Sequence, residues 1–419
     1  MNPLLDALDS RFEAIAPELL AIYRDLHRNP ELSMREARSA GIAADWIDRL
    51  GYQVSRGVGV TGVVGVLRNG DGPTVLLRAD MDALPMDEDT GLPYSSQVAG
   101  VAHSCGHDLH MAWLMGAAQV LAETRDAWRG TLLVVFQPGE ETAQGARAMV
   151  DDWDRAGLPR ADVVLGQHVM VGAAGTVSCR PGAILSAGDS LQVRLFGRGA
   201  HGAQPQNSVD PVVMAASTVL RLQTIVSREL APLDSAVLTV GSLQAGTKEN
   251  IIPEEATIKL NMRSYDEGVR AHMLDAVRRI CCAEAQASDA PKAPEFATLS
   301  SYPLTDNDHA ATARVAAVFH DRFGERALEA RPVAASEDFS VFGRSWDVPY
   351  VFWFVGGTDP ATYERHRLAG TVKEIPDNHS PRFAPVLDPT FRTGLEAMLA
   401  AASAWLCTPA VDALPGRAA

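Results

Sequence analysis

The sequence predicts an α/β protein: a mostly parallel sheet flanked by helices, interrupted by an inserted ferredoxin-like α+β domain. Three observations predict it. The chain has 419 residues, more than one hydrophobic core usually supports, so two domains are expected. Up to about residue 170, continuous apolar runs such as TLLVVFQ alternate with helix-patterned segments; strands of that kind belong to parallel sheets covered on both faces. Residues 189–300 then follow the order β-α-β-β-α-β, which is the ferredoxin-like order.

The elements follow in turn. Leu4, Leu5, Leu8, Phe12 and Ile15 recur at helical spacing, so the chain opens on an amphipathic helix. That stretch lacks a basic start followed by an apolar core, so no secretory signal is expected. SAGIAADWIDRLGY reads as a helix closed by Gly51. GVVGVLR and TVLLRAD are strands parted by a Gly/Asp/Pro turn. HDLHMAWLMGAAQVLAET is a long apolar helix, TLLVVFQ a strand, ETAQGARAMVDDW a helix and ADVVLGQHV a strand. In the insert, DSLQVRLFG, SAVLTVGSLQAG, EEATIKLNMRS and PEFATLS are strands. VDPVVMAASTVLRLQTIVSREL and DEGVRAHMLDAVRRICCAEAQA are its helices. The expected division is 1–186 and 300–419 as one domain, with 187–299 inserted as a second. The tail, TPAVDALPGRAA, reads as frayed.

Composition narrows the function. Hydrophobic residues make up 47% and charged residues 21%, which is ordinary for a globular protein. A net charge of -15 repels phosphate backbones, so nucleic acid is not an expected partner. No apolar run is long enough to span a bilayer, and the expected location is the cytoplasm. The five cysteines are an odd number, so a disulfide framework is not expected.

Ligands of open α/β sheets gather at the carboxyl ends of strands. TVLLRA runs into Asp80 and Asp82, TLLVVFQPG into Glu140 and Glu141, and ADVVLGQ into His168. Cys105, His107 and Asp108 precede the long helix. Thiolate, imidazole and carboxylate together suit zinc, manganese, nickel or cobalt better than magnesium or calcium. Taken singly, each group has a structural reading. Cys105 is a small buried hydrophobe, Glu140 and Glu141 are first-turn helix charge, and Asp80 and Asp82 cap turns. Taken jointly at successive strand ends, they read as a metal site.

RADMDALP (78–85), HSCGHDLHMA (103–112), QPGEET (137–142), GQHV (166–169), GRGAHGAQP (197–205), GTKENIIP (246–253), SEDF (336–339) and NHSPRF (378–383) resemble one family in order along nearly the whole chain. It is the aminoacylase and carboxypeptidase-G-like metallopeptidases, in the amidohydrolase branch with hippurate hydrolases, N-acyl amino acid deacylases and auxin-conjugate hydrolases. The resemblance implies a metal-dependent amidohydrolase that cleaves N-acyl amino acids with two divalent transition metals. It implies Cys105, His107, Glu141, His168 and His379 as metal ligands and Glu140 as general base. Asp82 takes the place of an Asp that orients the site in related branches. Asp80 stands where those branches carry a ligating His, and a structural role is expected for it. His201 is implied to steady the oxyanion, often in a partner subunit's site. Asn250 and Arg263 are implied to hold the substrate carbonyl and carboxylate; their structural alternatives are a turn for Asn250 and a surface ion pair for Arg263. The resemblance also implies that 1–186 and 300–419 form the catalytic domain and 187–299 a lid and dimerisation domain, so a homodimer built through the insert is expected. The sequence departs at Gln206, where many relatives carry His. No catalytic role is assigned to His27 or His110.

Three rivals stand beside this reading. A metallo-dipeptidase or carboxypeptidase shares the chemistry and differs in the pocket. A catalytically silent binding protein conflicts with the complete set of ligands and Glu140. A cysteine hydrolase using Cys105 conflicts with the metal-like spacing of Cys105 and His107.

Overall fold

The fold is that of a computed structural model, which describes residues 2–407; the tail beginning at Thr408 lies outside the described residues. The chain divides into two compact units. One comprises the chain up to Ile184, Asp306–Arg331 and the chain from Asp338 onward. The other comprises Leu185–Thr305 and Pro332–Glu337.

The first unit opens on α1 (Pro3–Arg28), whose N-cap Asn2 accepts the Leu4 and Leu5 amides. Its predicted apolar face is buried at Leu4, Leu5, Leu8 and Ile15. Then come α2 (Ala37–Arg49), β1 (Gln53–Val58), β2 (Gly62–Asn69) and β3 (Thr74–Asp80). After a long loop follow α3 (His107–Glu123), β4 (Gly130–Gln137), α4 (Gly145–Trp153), β5 (Val163–Ala173), β6 (Val177–Cys179) and β7 (Gly182–Leu185). Strand β1 is not predicted by the sequence reading; within it only Val58 is buried, so it lacks a buried apolar run.

In the second unit, β8 (Ala187–Phe196), β9 (Ala200–His201), α5 (Pro211–Thr224), β10 (Ala236–Ala245), β11 (Ile251–Ile252), β12 (Glu255–Ser264), α6 (Glu267–Ala287) and β13 (Glu295–Tyr302) follow in order. Its sheet has the order β10-β12-β8-β13, antiparallel throughout. Helix α5 ends at Thr224, earlier than the sequence predicts, in a π-helical turn over Ile225–Glu229.

After β14 (Thr305–Asn307), the first unit resumes with α7 (His309–Phe323), β15 (Ala327–Glu329), α8 (Ser340–Trp346), β16 (Tyr350–Thr358), α9 (Pro360–Ala369) and α10 (Leu387–Leu406). Its large sheet has the strand order β1-β2-β4-β3-β5-β16-β6-β15. The central run β4-β3-β5-β16 is parallel. Strand β4 is buried from Leu132 to Phe136, and α3 at nearly every position. Each fully buried Leu, Val or Phe there contributes about 1.5–3 kcal/mol. Among the described residues, no helix is long and apolar enough to cross a membrane.

One predicted helix starts late. Residues 141–144 are not helical, and α4 begins at Gly145. Ala143 takes a left-handed φ of 57°, and the Glu141 amide is committed to Asp82. A Cβ at Gly145 would lie 1.5 Å from the Pro138 carbonyl oxygen, so the helix can start there only with glycine. Glu140 and Glu141 therefore sit in a turn and are not first-turn helix charge.

Candidate metal centre

The parallel strands deliver the predicted groups to one place. Asp80 ends β3, Glu140 and Glu141 follow β4, and β5 carries His168. His107 begins α3 behind Gly106, whose φ is 89°. A Cβ on Gly106 would lie 2.5 Å from Val169 Cγ1, so the Cys105–His107 turn approaches β5 closely only with glycine. His379 comes from the loop after α9, at a φ of 68°. Its amide donates to the Ser104 carbonyl at 2.8 Å.

Cys105 Sγ lies 3.4 Å from His168 Nε2. Cys105, Glu141 and His379 each place a donor atom within 4.8 Å of the others, as do His107, Glu140 and Glu141. His379 Nε2 is 3.3 Å from Glu141 Oε2, and His107 Nε2 is 3.8 Å from Glu141 Oε1. The five sequence-predicted ligands thus gather in one cluster, with Glu140 beside His107 and Glu141.

The donors fit a divalent metal. His107 Nε2 and Glu141 Oε1 are buried and have no hydrogen-bond partner among the described residues, an arrangement proteins rarely leave uncompensated. His107 Nδ1 is engaged by Asp82 Oδ1 at 3.2 Å, and His168 Nδ1 by the Val169 carbonyl at 2.8 Å. Each imidazole is thus oriented through one nitrogen and presents the other, the usual arrangement of a metal-ligating histidine. Burial, then Glu141, pushes the Cys105 thiol up. Burial, then His110, pushes His168 well down, keeping it neutral. Burial opposes the His107 imidazolium, but Asp80 and Cys105 outweigh it and raise the group.

Asp80 and His110 also lie within ligand distance of His107 and His168, yet both are engaged elsewhere. Asp80 accepts from Arg78 and from His110 Nδ1, each at 2.6 Å. His110 Nε2 accepts the Val169 amide at 3.0 Å. His110 is therefore a neutral, doubly bonded residue, and Asp80 balances the buried Arg78. Asp82 is fully buried and accepts the Ser33 hydroxyl at 2.6 Å and the Glu141 amide at 3.0 Å.

In the second unit, β9 pairs with β11, setting His201 opposite Ile251. The Asn250 carbonyl accepts the Gly202 amide at 2.8 Å. The ribbon thus brings His201 and Asn250 together on an exposed edge. His201 Nδ1 accepts the Ala203 amide at 3.0 Å, which leaves the proton of the neutral ring on Nε2 as a donor. Among the described residues, Arg263 has no ion-pair partner. Its guanidinium donates to Asn261 Oδ1 at 3.1 Å and Ser336 Oγ at 2.6 Å.

Sequence reasoning missed several supporting groups. Asn378 Nδ2 donates to the carbonyls of Cys105 at 3.0 Å and Val169 at 3.1 Å, tying three ligand-bearing segments together. Asp338 accepts Gln137 Nε2 at 2.6 Å and the Ala146 amide at 3.0 Å. Both residues stand inside motifs already quoted, NHSPRF and SEDF, and that is the signal that could have found them. His27 is a buried bridge: Nδ1 is 2.6 Å from Asp108 and Nε2 is 3.2 Å from Glu88.

Imidazole, thiolate and carboxylate donors beside a second carboxylate define a metal-dependent hydrolase. The comparisons agree. Residues 76–374 match the family described as Peptidase family M20/M25/M40. Hippurate hydrolase of Campylobacter jejuni is 38% identical over 359 residues, covering 84% of this chain and 90% of the relative. Thermostable carboxypeptidase 2 of Saccharolobus solfataricus is 34% identical, covering 91% and 93%. The crystal structure of the Bacillus subtilis YXEP protein, a dinuclear metal-binding peptidase, matches with a TM-score of 0.74 at 26% identity, covering 93% and 98%. The chain belongs to Peptidase family M20/M25/M40, and it is a hydrolase.

Proposed function

We propose that this protein hydrolyses the amide bond of N-acyl amino acids, releasing a carboxylic acid and a free amino acid. The observation that carries the reading is the cluster of Cys105, His107, Glu141, His168 and His379, with Glu140 beside His107 and Glu141. Those five would hold two divalent transition metals, drawn from manganese, zinc, nickel and cobalt. When bound, the pair supplies Lewis acidity that polarises a carbonyl and acidifies water.

The chain's own residues do the rest. Glu140 takes the proton of the attacking water and returns it to the leaving amine. Asp82 keeps His107 aimed and fixes the turn after Glu140. His201, a neutral Nε2–H donor, steadies the developing oxyanion. Asn250, beside it on the ribbon, holds the substrate carbonyl. Arg263, pre-oriented by Asn261 and Ser336, takes the substrate carboxylate in a bidentate contact. Hippurate is the benzoyl amide of glycine, and a carboxypeptidase also releases an amino acid, so an amine-side carboxylate is common to both relatives' substrates.

The second unit is the inserted lid, and it pairs two copies of the chain. Strand β10 is an edge strand exposing Val237 and Leu243, and α5 exposes Val213 and Leu220. A metal-ligating Cys105 must stay reduced, which fits the cytoplasm.

The experiment is hydrolysis of N-acetyl, N-benzoyl and long-chain acyl amino acids, beside dipeptides, by metal-stripped protein given each metal in turn. Acyl amino acid cleavage that returns with metal and is lost in Glu140→Gln supports the reading. Preference for dipeptides moves it to a peptidase, and cleavage that survives metal removal overturns it.

A further inference from the structure

The turn that carries Glu140 is held from a direction its own motif does not contain. Glu36, just before α2, is fully buried. Its Oε1 accepts the amides of Met34 at 2.8 Å and Gly139 at 2.9 Å, and its Oε2 accepts the Thr61 hydroxyl at 2.5 Å. One carboxylate thus joins the α1–α2 loop, the β1–β2 turn and the β4–α4 turn. The contact is close: a Cβ on Gly139 would lie 2.5 Å from Met34 Sδ.

On the other side of Glu140, the Glu141 amide donates to Asp82 Oδ2 at 3.0 Å. The two residues flanking Glu140 in sequence are therefore each tied through the backbone to a different buried carboxylate. Asp338 holds the turn's ends, at Gln137 and Ala146. Without Glu36, the Gly139 amide is the one flank of Glu140 with nothing in its place. The three bonding partners of Glu36 are neutral, and burying a carboxyl among neutral groups is costly. Burial also pushes this carboxyl up. A group retained at such a cost marks a functional position.

We propose that Glu36 is a positioning residue for Glu140: by fixing the Gly139 amide it aims the Glu140 carboxylate at the attacking water. This rests on the reading of Glu140 as general base. The role is geometric and needs an acceptor of the right reach. Gln supplies one, since its Oε1 can accept both amides while its Nε2 donates to Thr61. Ala supplies none.

The test compares the parent, Glu36→Ala, Glu36→Gln and Glu140→Gln, each reloaded with metal, on the best substrate of the panel. Metal per chain, KM, kcat and hydrogen exchange of the 137–146 peptide are measured. Glu36→Ala is expected to lose about 10²-fold in kcat, the scale set by misplacing a catalytic group by about 1 Å. KM and metal content stay parental, and the peptide exchanges faster. Glu36→Gln is expected to recover most of the parental kcat. Should Glu36→Ala fail to fold, Glu36→Asp, whose carboxylate stops one methylene short of Gly139, carries the same expectation. Parental kcat in the folded, metal-loaded Ala or Asp variant overturns the proposal, and so does a Gln variant as damaged as Ala. Parental kcat in Glu140→Gln shows instead that the base reading has failed, and the proposal falls with it.

Discussion

Cys105 Sγ stands 3.4 Å from His168 Nε2, although 62 residues separate the two in the chain. One comes from the turn before α3 and the other from β5, and the glycine between Cys105 and His107 permits the approach. Burial pushes the thiol up and the imidazole down. A cation reverses this for the thiol, since coordination deprotonates it outright.

Cys105→Ala is accordingly expected to weaken metal binding by more than about 10²-fold, beyond the range found for outer-shell changes. Metal analysis after dialysis against a weak chelator checks it. Retention of the full parental complement would remove Cys105 from the ligand set.

His201→Ala is expected to lower kcat by about 10²–10³-fold, as for loss of one oxyanion donor, with metal content unchanged. Steady-state kinetics paired with metal analysis decides. Equal loss of both would make His201 a structural residue.

Arg263→Lys keeps the charge and loses the planar fork. Against acyl amino acids, KM is expected to rise about tenfold or more, on the scale of one charge-assisted bond. For the matching amides, which lack the carboxylate, it should hardly move. A KM change of the same size for both substrates would detach Arg263 from the carboxylate.

Asn378→Ala leaves two carbonyls without their donor. The expected cost is about 1–3 kcal/mol of stability and about 10–100-fold in metal affinity. Denaturant unfolding of the apo form separates the first effect from the second.

His27 sets a pH window. Burial works against its imidazolium, but Asp108 and then Glu88 outweigh it and raise it from 6.5 to about 10. Its contribution is therefore full below about pH 6.5 and lost as pH rises toward 10. Glu88 runs the other way. Burial opposes its ionisation, but His27 and the Ser96 amide hold it down at about 2. That contribution is full above about 4.5 and lost as pH falls toward 2. Unfolding midpoints measured from pH 5 to 10 should decline on the alkaline side in the parent and stay flatter in His27→Gln. His27→Ala, which strands two buried carboxylates, is expected to cost about 3–5 kcal/mol near neutrality. Parallel pH profiles for parent and His27→Gln would deny the bridge.

Local pattern made much of this protein legible before any coordinates. The apolar runs of β3, β4 and β5 are long and uninterrupted, so they read as buried parallel strands. The helices and strands of the second unit alternate cleanly enough to show the ferredoxin-like order. The clustered polar groups were legible because strand ends and motif residues coincide at Glu140, Glu141 and His168. Failures came where backbone geometry overrides pattern: residues 141–144 look helical but are held open by Asp82, Ala143 and the contact at Gly145. Tertiary structure alone decided which nitrogen each histidine presents, because that depends on partners such as Asp82 and the Val169 carbonyl. It alone showed that Asp80 and His110 bond to each other. It alone showed Glu36 and His27 at work, since a charged residue at a helix edge reads as solvated until the chain closes over it. Composition and spacing determine which groups exist and which elements carry them; what each group bonds is set by contacts between residues far apart in sequence.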